Sequence, residues 1–404
     1  MKNINLNWIF SRLITVCPPV IVVAYLFKRC YLFYREGLST VGGDFTQYWV
    51  ATSLVYTDKI SILYNSSLFQ KTMENITGTS YPVGFFYPPT FLLILLPLSF
   101  FPYLASLITW LFSTLFSYVL VLRCIAPHRL TIWLSLAFPA TLLNTDYCQN
   151  GFLSAALLGG GLLLLNRIPA AAGILFGILS YKPQLAVLLP VALIAGQHWK
   201  ALIVSIVTCA LMIVISICVM GTEPWIAFLK NIPVPLKILE GGYQGWVLEW
   251  HKMISVYATA RLCGSGLLVS RVLQLTAMVL TVGITTWVWF KKPSFSIQAP
   301  VLTLCTLLFF PYLFEYDLPI LGLAIAWMGW EGYNKGWLRG EKLILVFGWI
   351  TPVLSKITIK LTGVHVTPVI LCMLLLFALY RMALERKYLN NSDAPSTTRG
   401  IPAI

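Results

Sequence analysis

Charged side chains are scarce in this chain: only 10% of its 404 residues are Asp, Glu, Lys or Arg. Acids are the rarer sign, 14 against 28 bases. That excludes a water-soluble domain of ordinary size, since the longest polar stretches are the segments 34–84 and 221–263. Metal and disulfide frameworks are missing too. The nine cysteines show no CxxC and no Cys/His ligand spacing, and most lie in apolar runs, where a thiol is a small hydrophobe. There is no Ser-His-Asp order, glycine-rich phosphate loop or HExxH. No cofactor or metal site is therefore expected.

What is present is hydrophobic sequence, 58% of the residues, with a mean hydropathy of +0.81. This composition predicts an all-α polytopic membrane protein. The first span is expected near Leu13–Tyr34; Leu13–Phe27 is followed by Lys28-Arg29 and no small-residue cleavage site, so it reads as a signal anchor. A loop over 35–84 follows, with short helices at Asp44 and at Ser66–Glu74. Tyr87-Pro88-Pro89 marks a rigid return to the bilayer. Further apolar segments run from Leu130 to Met382, several of them short, and about 11 to 13 spans are expected. We expect a single integral-membrane domain over 1–390, a second large outer loop at 221–263, and a flexible cytoplasmic tail at 391–404.

The net charge of +14 follows a topological pattern. The loops 123–129, 166–167, 198–200, 291–293 and 334–342, with both termini, carry basic residues including Arg123, Arg129, Arg167, Lys200, Lys291, Lys292 and Lys335. Only Glu331, Glu341, Glu385 and Asp393 oppose them. The positive-inside rule makes these loops cytoplasmic. One conflict arises: no charge occurs between Phe85 and Leu122, which is enough for two crossings, yet two would put loop 123–129 outside. The alternatives are one full crossing plus a partial dip, or a later segment that does not cross.

The most unusual polar stretch is Val41-Gly42-Gly43-Asp44-Phe45-Thr46-Gln47-Tyr48-Trp49-Val50-Ala51. Phe45, Tyr48, Trp49, Thr52, Val55 and Tyr56 fall on one face of a surface-lying helix. Asp44 reads either as its N-cap, with Gln47 as the N3 partner of a capping box, or as a working carboxylate. Other polar residues recur at the outer segment ends. Lys182, before Pro183 at a broken helix, suits a phosphate or snorkels to the surface. Gln149 and Asn150 suit sugar hydroxyls or form a plain polar turn. Lys252 and Arg261 lie in an amphipathic segment, His251–Cys263, with Met253, Tyr257 and Leu262 on its apolar side. Glu315 and Asp317 either pair with those cations or cap the last outer turn.

The ordered set Gly43-Asp44-Phe45 with Tyr48-Trp49-x-Ala51, Leu63-Tyr64, Tyr87-Pro88-Pro89, Pro97-Leu98, Gln149-Asn150-Gly151, Ala172-Gly173 through Gly177, Lys182-Pro183-Gln184, Trp199, Pro311-Tyr312 and Tyr316-Asp317-Leu318 resembles the family-87 glycosyltransferases of the GT-C superfamily. The resemblance spans about 40 to 330. It implies a GT-C-type helical bundle with interfacial helices in the first extracytoplasmic loop. It also implies a polyprenyl-phosphate-sugar donor, a lipid-linked or glycan acceptor, and an active site on the extracytoplasmic face of the plasma (inner) membrane. The family is known for mannosyltransferases of the phosphatidylinositol-mannoside pathway. Asp44 matches its proposed catalytic base. Lys182, Lys252 and Arg261 are then candidates for the donor phosphate. Gln47, Tyr48, Gln149, Asn150, Gln184, His251, Glu315, Tyr316 and Asp317 are candidates for substrate contact. Where mycobacterial members carry histidines, this chain has Phe314-Glu315-Tyr316-Asp317, a departure that bears on the sugar and the acceptor. The alternative is a polytopic lipid or sugar transporter, which broken helices and polar residues would also suit.

Overall fold

A computed structural model of the chain describes residues 6–36, 42–57, 59–78, 84–241 and 250–392. Val41 and most of the expected tail, 393–404, lie outside the described residues, as do Lys2, Asp393 and Arg399. Helix α1 is Leu6–Glu36, and the first loop holds α2 (Phe45–Leu54) and α3 (Ser66–Thr77), the latter N-capped by Asn65. Then come α4 (Thr90–Leu95), α5 (Tyr103–Ile125), α6 (Leu130–Leu136), α7 (Pro139–Tyr147), α8 (Gly151–Leu164), α9 (Pro169–Leu179), α10 (Pro183–Ala186), α11 (Leu188–Ala195) and α12 (Trp199–Met220). The second long connection holds α13 (Glu223–Asn231), α14 (Val234–Gly241) and α15 (Val256–Leu262). The chain closes with α16 (Leu267–Lys291), α17 (Phe295–Phe309), α18 (Pro319–Lys335), α19 (Glu341–Thr362) and α20 (Thr367–Ser392).

Contacts among the loops put the basic segments at one end of the bundle. Lys292 donates to Gln197 Oε1 at 2.9 Å. Ser294 holds the Glu385 carboxylate through its backbone N and Oγ at 2.8 and 2.7 Å. Arg381 binds Glu341 at 2.5–2.9 Å and the Gly336 carbonyl at 2.9 Å, and the His128 ring lies 5.8 Å from Tyr333. From this basic end the chain travels outward on α1, α6–α7, α9, α12, α17 and α19. It returns on α5, α8, α10–α11, α16, α18 and α20, twelve passes among the described residues. Among the described residues, six helices are long and apolar enough to cross a membrane, and five shorter apolar helices lie among them. The protein is an all-α, multi-pass membrane protein.

The uncharged run 85–122 resolves as a dip followed by one crossing. Pro97 sits in a 3₁₀ turn, Leu96–Phe100, which ends α4 and turns the chain back. The Phe101 carbonyl accepts from Trp49 Nε1 at 3.4 Å, and Tyr103 pairs with Thr46 at 2.8 Å, so the dip leaves and returns at the end where α2 sits. Loop 123–129 thereby joins the other basic loops. Helix α2 differs from the surface-lying helix its spacing predicts. Phe45, Gln47, Tyr48, Val50, Ala51, Thr52 and Leu54 are all buried, because the α4 dip and α5 pack against it together with α3 and the 3₁₀ turn Ile60–Tyr64.

Unequal helix lengths make a step, the recess, in which the short helices stop before α12 and α16 do. Gly173 and Gly177 let α9 lie directly on α12: a Cβ at 173 would meet the Ala201 carbonyl at 2.6 Å, and one at 177 the Ser205 carbonyl at 2.8 Å. The two helices run parallel, so Lys182, just past α9, sits level with the middle of α12. At 1.5 Å per residue, α12 continues about 10 Å beyond it. On the other side Gln274 of α16 donates to the carbonyls of Leu308 and Phe309 at the end of α17, at 3.2 and 2.8 Å. Helix α16 then extends about 10 Å past that level to Leu267. Exposed apolar side chains run to Val219 on α12 and Leu268 on α16, so lipid-facing surface reaches past the recess floor.

A Gly173→Leu substitution is expected to wedge α9 off α12 and cost about 1–3 kcal/mol. Thermal unfolding in detergent measures this; an unshifted midpoint would contradict the close contact.

Candidate active site

The recess is built where three corners of the chain meet. The first is the Gly42-Gly43-Asp44 turn. Gly42 and Gly43 have φ of +121° and +44°, and a Cβ on Gly43 would strike the Tyr147 carbonyl at 2.7 Å. That contact lets Asp44 N donate to the same carbonyl at 2.9 Å, docking the first loop on the end of α7. Asp44 occupies the N-cap position of α2, yet its side chain makes no capping hydrogen bond. Its Oδ2 accepts instead from Gln149 Nε2 at 2.8 Å. Burial pushes the carboxyl pKa up; the Gln149 hydrogen bond and the nearby Lys252 charge pull the other way. Asp44 remains partly exposed.

The second corner is Gln149-Asn150-Gly151, between α7 and α8. Asn144 clamps it, donating to the Gln149 carbonyl and accepting from Gly151 N, both at 3.2 Å. The Gln149 Oε1 accepts from Tyr48 and, at 3.3 Å, from Tyr87. Asn150 donates to the Tyr48 hydroxyl at 3.1 Å and accepts from Lys182 Nζ at 2.9 Å. Tyr181 and Ser154 share a hydrogen bond of 2.7 Å behind it.

The third corner, 314–318, leads into α18. Asp317 forms an ion pair with Lys182, both fully buried, and its other oxygen accepts from Phe314 N at 3.3 Å. The Tyr316 ring lies 5.2 Å from Lys182 Nζ. Its backbone comes so close to α8 that a Cβ on Gly151 would sit 2.0 Å from the Tyr316 carbonyl. Glu315 accepts from the Tyr147 hydroxyl at 2.5 Å. A continuous chain of hydrogen bonds therefore runs from Asp44 through Gln149, Tyr48 and Asn150 to Lys182 and Asp317.

Of the residues singled out from sequence, Asp44, Tyr48, Gln149, Asn150, Lys182, Glu315, Tyr316 and Asp317 are brought together here. Lys252 joins them through its charge on Asp44. Gln47 is buried in α2 with its Oε1 lacking a partner among the described residues. Gln184 lies in α10, half-buried. Arg261 lies over the Trp250 ring at 4.7 Å and donates to the Ser265 carbonyl at 2.9 Å, tied to its own segment. His251 is exposed and faces His365, whose pKa is pushed down to about 4 by burial and then by that second imidazole. Sequence reasoning did not identify His365, Tyr147, Asn144 or the Arg29–Asp146 contact (3.3 Å) that pins α1 to α7. Tyr147 and Asn144 stand two and five residues before Gln149, and that proximity was the available signal. Among the described residues, no group of three or more His, Cys, Asp or Glu is placed to hold a metal ion.

Removing one partner of the Lys182–Asp317 pair leaves a buried, uncompensated charge. Lys182→Met is expected to cost about 3–5 kcal/mol, and Lys182→Met with Asp317→Leu to recover much of it. Thermal unfolding of the three proteins checks this, and a single variant as stable as the parent would contradict the pairing.

Residues 85–311, more than half of the chain, match the sequence model of Glycosyltransferase family 87. No curated protein and no solved structure matches the chain. The matched stretch holds Tyr87, Gln149, Asn150, Lys182 and Gln184, while Asp44 and Asp317 flank it in sequence and meet it in space. The chain belongs to glycosyltransferase family 87, and is a membrane glycosyltransferase.

Proposed function

We propose that this enzyme moves a hexose, mannose by family resemblance, from a polyprenyl-phosphate sugar to a lipid-linked or glycan acceptor, with inversion. Asp44 acts as general base. The observation that carries this reading is the Asp44 carboxylate: it stands at a helix N-cap but is withheld from capping, oriented by Gln149, and left partly open. A carboxylate so placed accepts a proton from a hydroxyl. The acceptor oxygen bonds to the anomeric carbon while its proton passes to Asp44. The bond from that carbon to the phosphate oxygen breaks, its electron pair staying on the polyprenyl phosphate.

We assign the departing phosphate to Lys252, whose charge already acts on Asp44. Lys182, with Asp317 and Asn150 as its partners, holds the network rather than the donor. Glu315, Tyr316 and Tyr87 form the polar walls for sugar hydroxyls. A recess below the outer ends of α12 and α16 suits a donor that arrives within the membrane on a lipid tail. The basic loops at the far end favour an extracytoplasmic site in the plasma membrane by the positive-inside rule. The transporter reading has no support from a family of sugar-transferring enzymes.

Asp44→Asn keeps an acceptor for Gln149 and loses no capping bond, so stability should hold while transfer falls about 10²–10⁴-fold. Activity above about a tenth of the parent's would defeat the base assignment. The base works unprotonated, so activity is lost as pH falls through its pKa. Because burial raises that pKa, the acid limb should lie above the ordinary carboxylate range. Gln149→Leu removes a bond favouring the anion and should move the limb higher still; a limb that moves down would contradict this arrangement.

Asn75 lies exposed on α3. In a cysteine-free background, a cysteine at this position should react with an impermeant maleimide in intact spheroplasts. Reaction only after permeabilisation would place the recess on the cytoplasmic side.

A further inference from the structure

At the basic end, on the opposite side of the molecule from the Asp44 recess, lies a cavity of about 600 Å³. Helices α5, α6, α18 and α19 line it, with Thr15 of α1 at its edge. Its walls are apolar and aromatic, Phe138, Ile325, Trp330 and Trp349 among them. Several polar groups along the walls are used internally: Trp349 Nε1 donates to the Leu134 carbonyl at 3.1 Å, and Thr131 and Ser135 bond back to their own segment at 2.7 and 2.6 Å. Deep in the cavity lies the fully buried Tyr118 hydroxyl, beside Thr141. The mouth is basic. Arg129 is exposed there and shows no ion pair among the described residues, while His128 accepts the Leu130 N–H on Nδ1, at 3.2 Å, leaving Nε2 as a donor.

A largely apolar chamber of this size, with a cation at its mouth and interfacial aromatics around it, matches one ligand chemistry. We propose that the cavity binds a phosphate-headed anionic membrane lipid, one hydrocarbon chain inside and the phosphate at Arg129 and His128. Charge complementarity favours the anionic headgroup, and the apolar lining favours the chain. The lipid belongs to the leaflet at the basic end, so it is a different molecule from any substrate in the recess. Its chain would end near Tyr118, which stacks on Phe152 of α8 at 5.5 Å and lies against Gly322 of α18. Those are the two helices that present Gln149-Asn150 and follow Asp317.

Gly329 allows a direct test, since it lines the cavity and a Cβ there would meet no atom within 4 Å. Purified protein is mixed with dioleoyl phosphatidylglycerol, dioleoyl phosphatidylcholine or inorganic phosphate, and retained adducts are measured by native mass spectrometry. A phosphatidylglycerol adduct is expected, weaker with phosphatidylcholine and not displaced by inorganic phosphate. Arg129→Ala should weaken it about tenfold. Gly329→Phe should abolish it by filling the chamber, while Gly329→Ala should retain it; unfolding curves confirm that the variants are folded. An adduct that survives Gly329→Phe overturns the site. Equal retention of the two lipids, or no effect of Arg129→Ala, overturns the anionic headgroup. Displacement by inorganic phosphate alone overturns the lipid as its source. Should Gly329→Phe fail to fold, the Arg129→Ala and phosphatidylcholine arms decide the matter.

Discussion

Lys182 and Asp317 hold opposite charges inside a bundle whose interior is almost wholly apolar. Desolvating two ions costs several kcal/mol each, which their attraction offsets only when geometry is close and the remaining polar atoms are satisfied. Asn150 supplies one of those contacts and Phe314 N another. The pair therefore dictates that the corners 148–151, 181–183 and 314–318 meet at one point. Gly151 is where this demand becomes steric, because the Tyr316 carbonyl occupies the space a side chain would need. Once Asn150 is held by Lys182, its amide reaches Tyr48, Tyr48 reaches Gln149, and Gln149 orients Asp44. The carboxylate is thus aligned by a buried ion pair it does not touch.

Helix length supplies the depth in which this network sits. Helices α8, α9 and α17 have 14, 11 and 15 residues, against 22 and 25 in α12 and α16. Backbone groups at the ends of short helices would be costly if left facing lipid. Here side chains close them: Gln274 takes the end of α17, and Asn144 joins α7 to α8. The first loop then roofs the recess, with Tyr64 packed on Phe228 of α13 at 5.7 Å. Helical irregularity occurs where protein rather than lipid surrounds it, and the polar site occupies the gap.

The two ends of the bundle differ in chemistry. At the basic end, carboxylates serve as local struts, with Glu341 gripping Arg381 and Glu385 closing the start of α17. At the recess end, Asp44, Asp146, Glu315 and Asp317 cluster around a few cations and many tyrosine hydroxyls. So few acids allow such a division, since most of those among the described residues have a specific partner.

The sequence by itself determined the membrane class, the run of most passes and the separation of basic loops from the Asp44 stretch. Those properties depend on composition and on charge order along the chain, which a one-dimensional reading contains. Gly43-Asp44, Gln149-Asn150-Gly151, Lys182 and Asp317 were also visible as polar residues at segment ends, where ionisable groups need a reason to be. Tertiary structure alone decided how they are used. Asp44 fits a helix cap by spacing, but Gln149, 105 residues away, takes its carboxylate. Lys182 reads as a phosphate ligand or a snorkelling residue, whereas in the fold it is buried and paired with Asp317, 135 residues away. The path of 85–122 was undecidable from hydropathy, because a dip and a crossing have the same composition; Trp49 and Thr46 settle it by meeting the chain on its return. Partner choice across such distances follows from helix packing, and no local pattern encodes it.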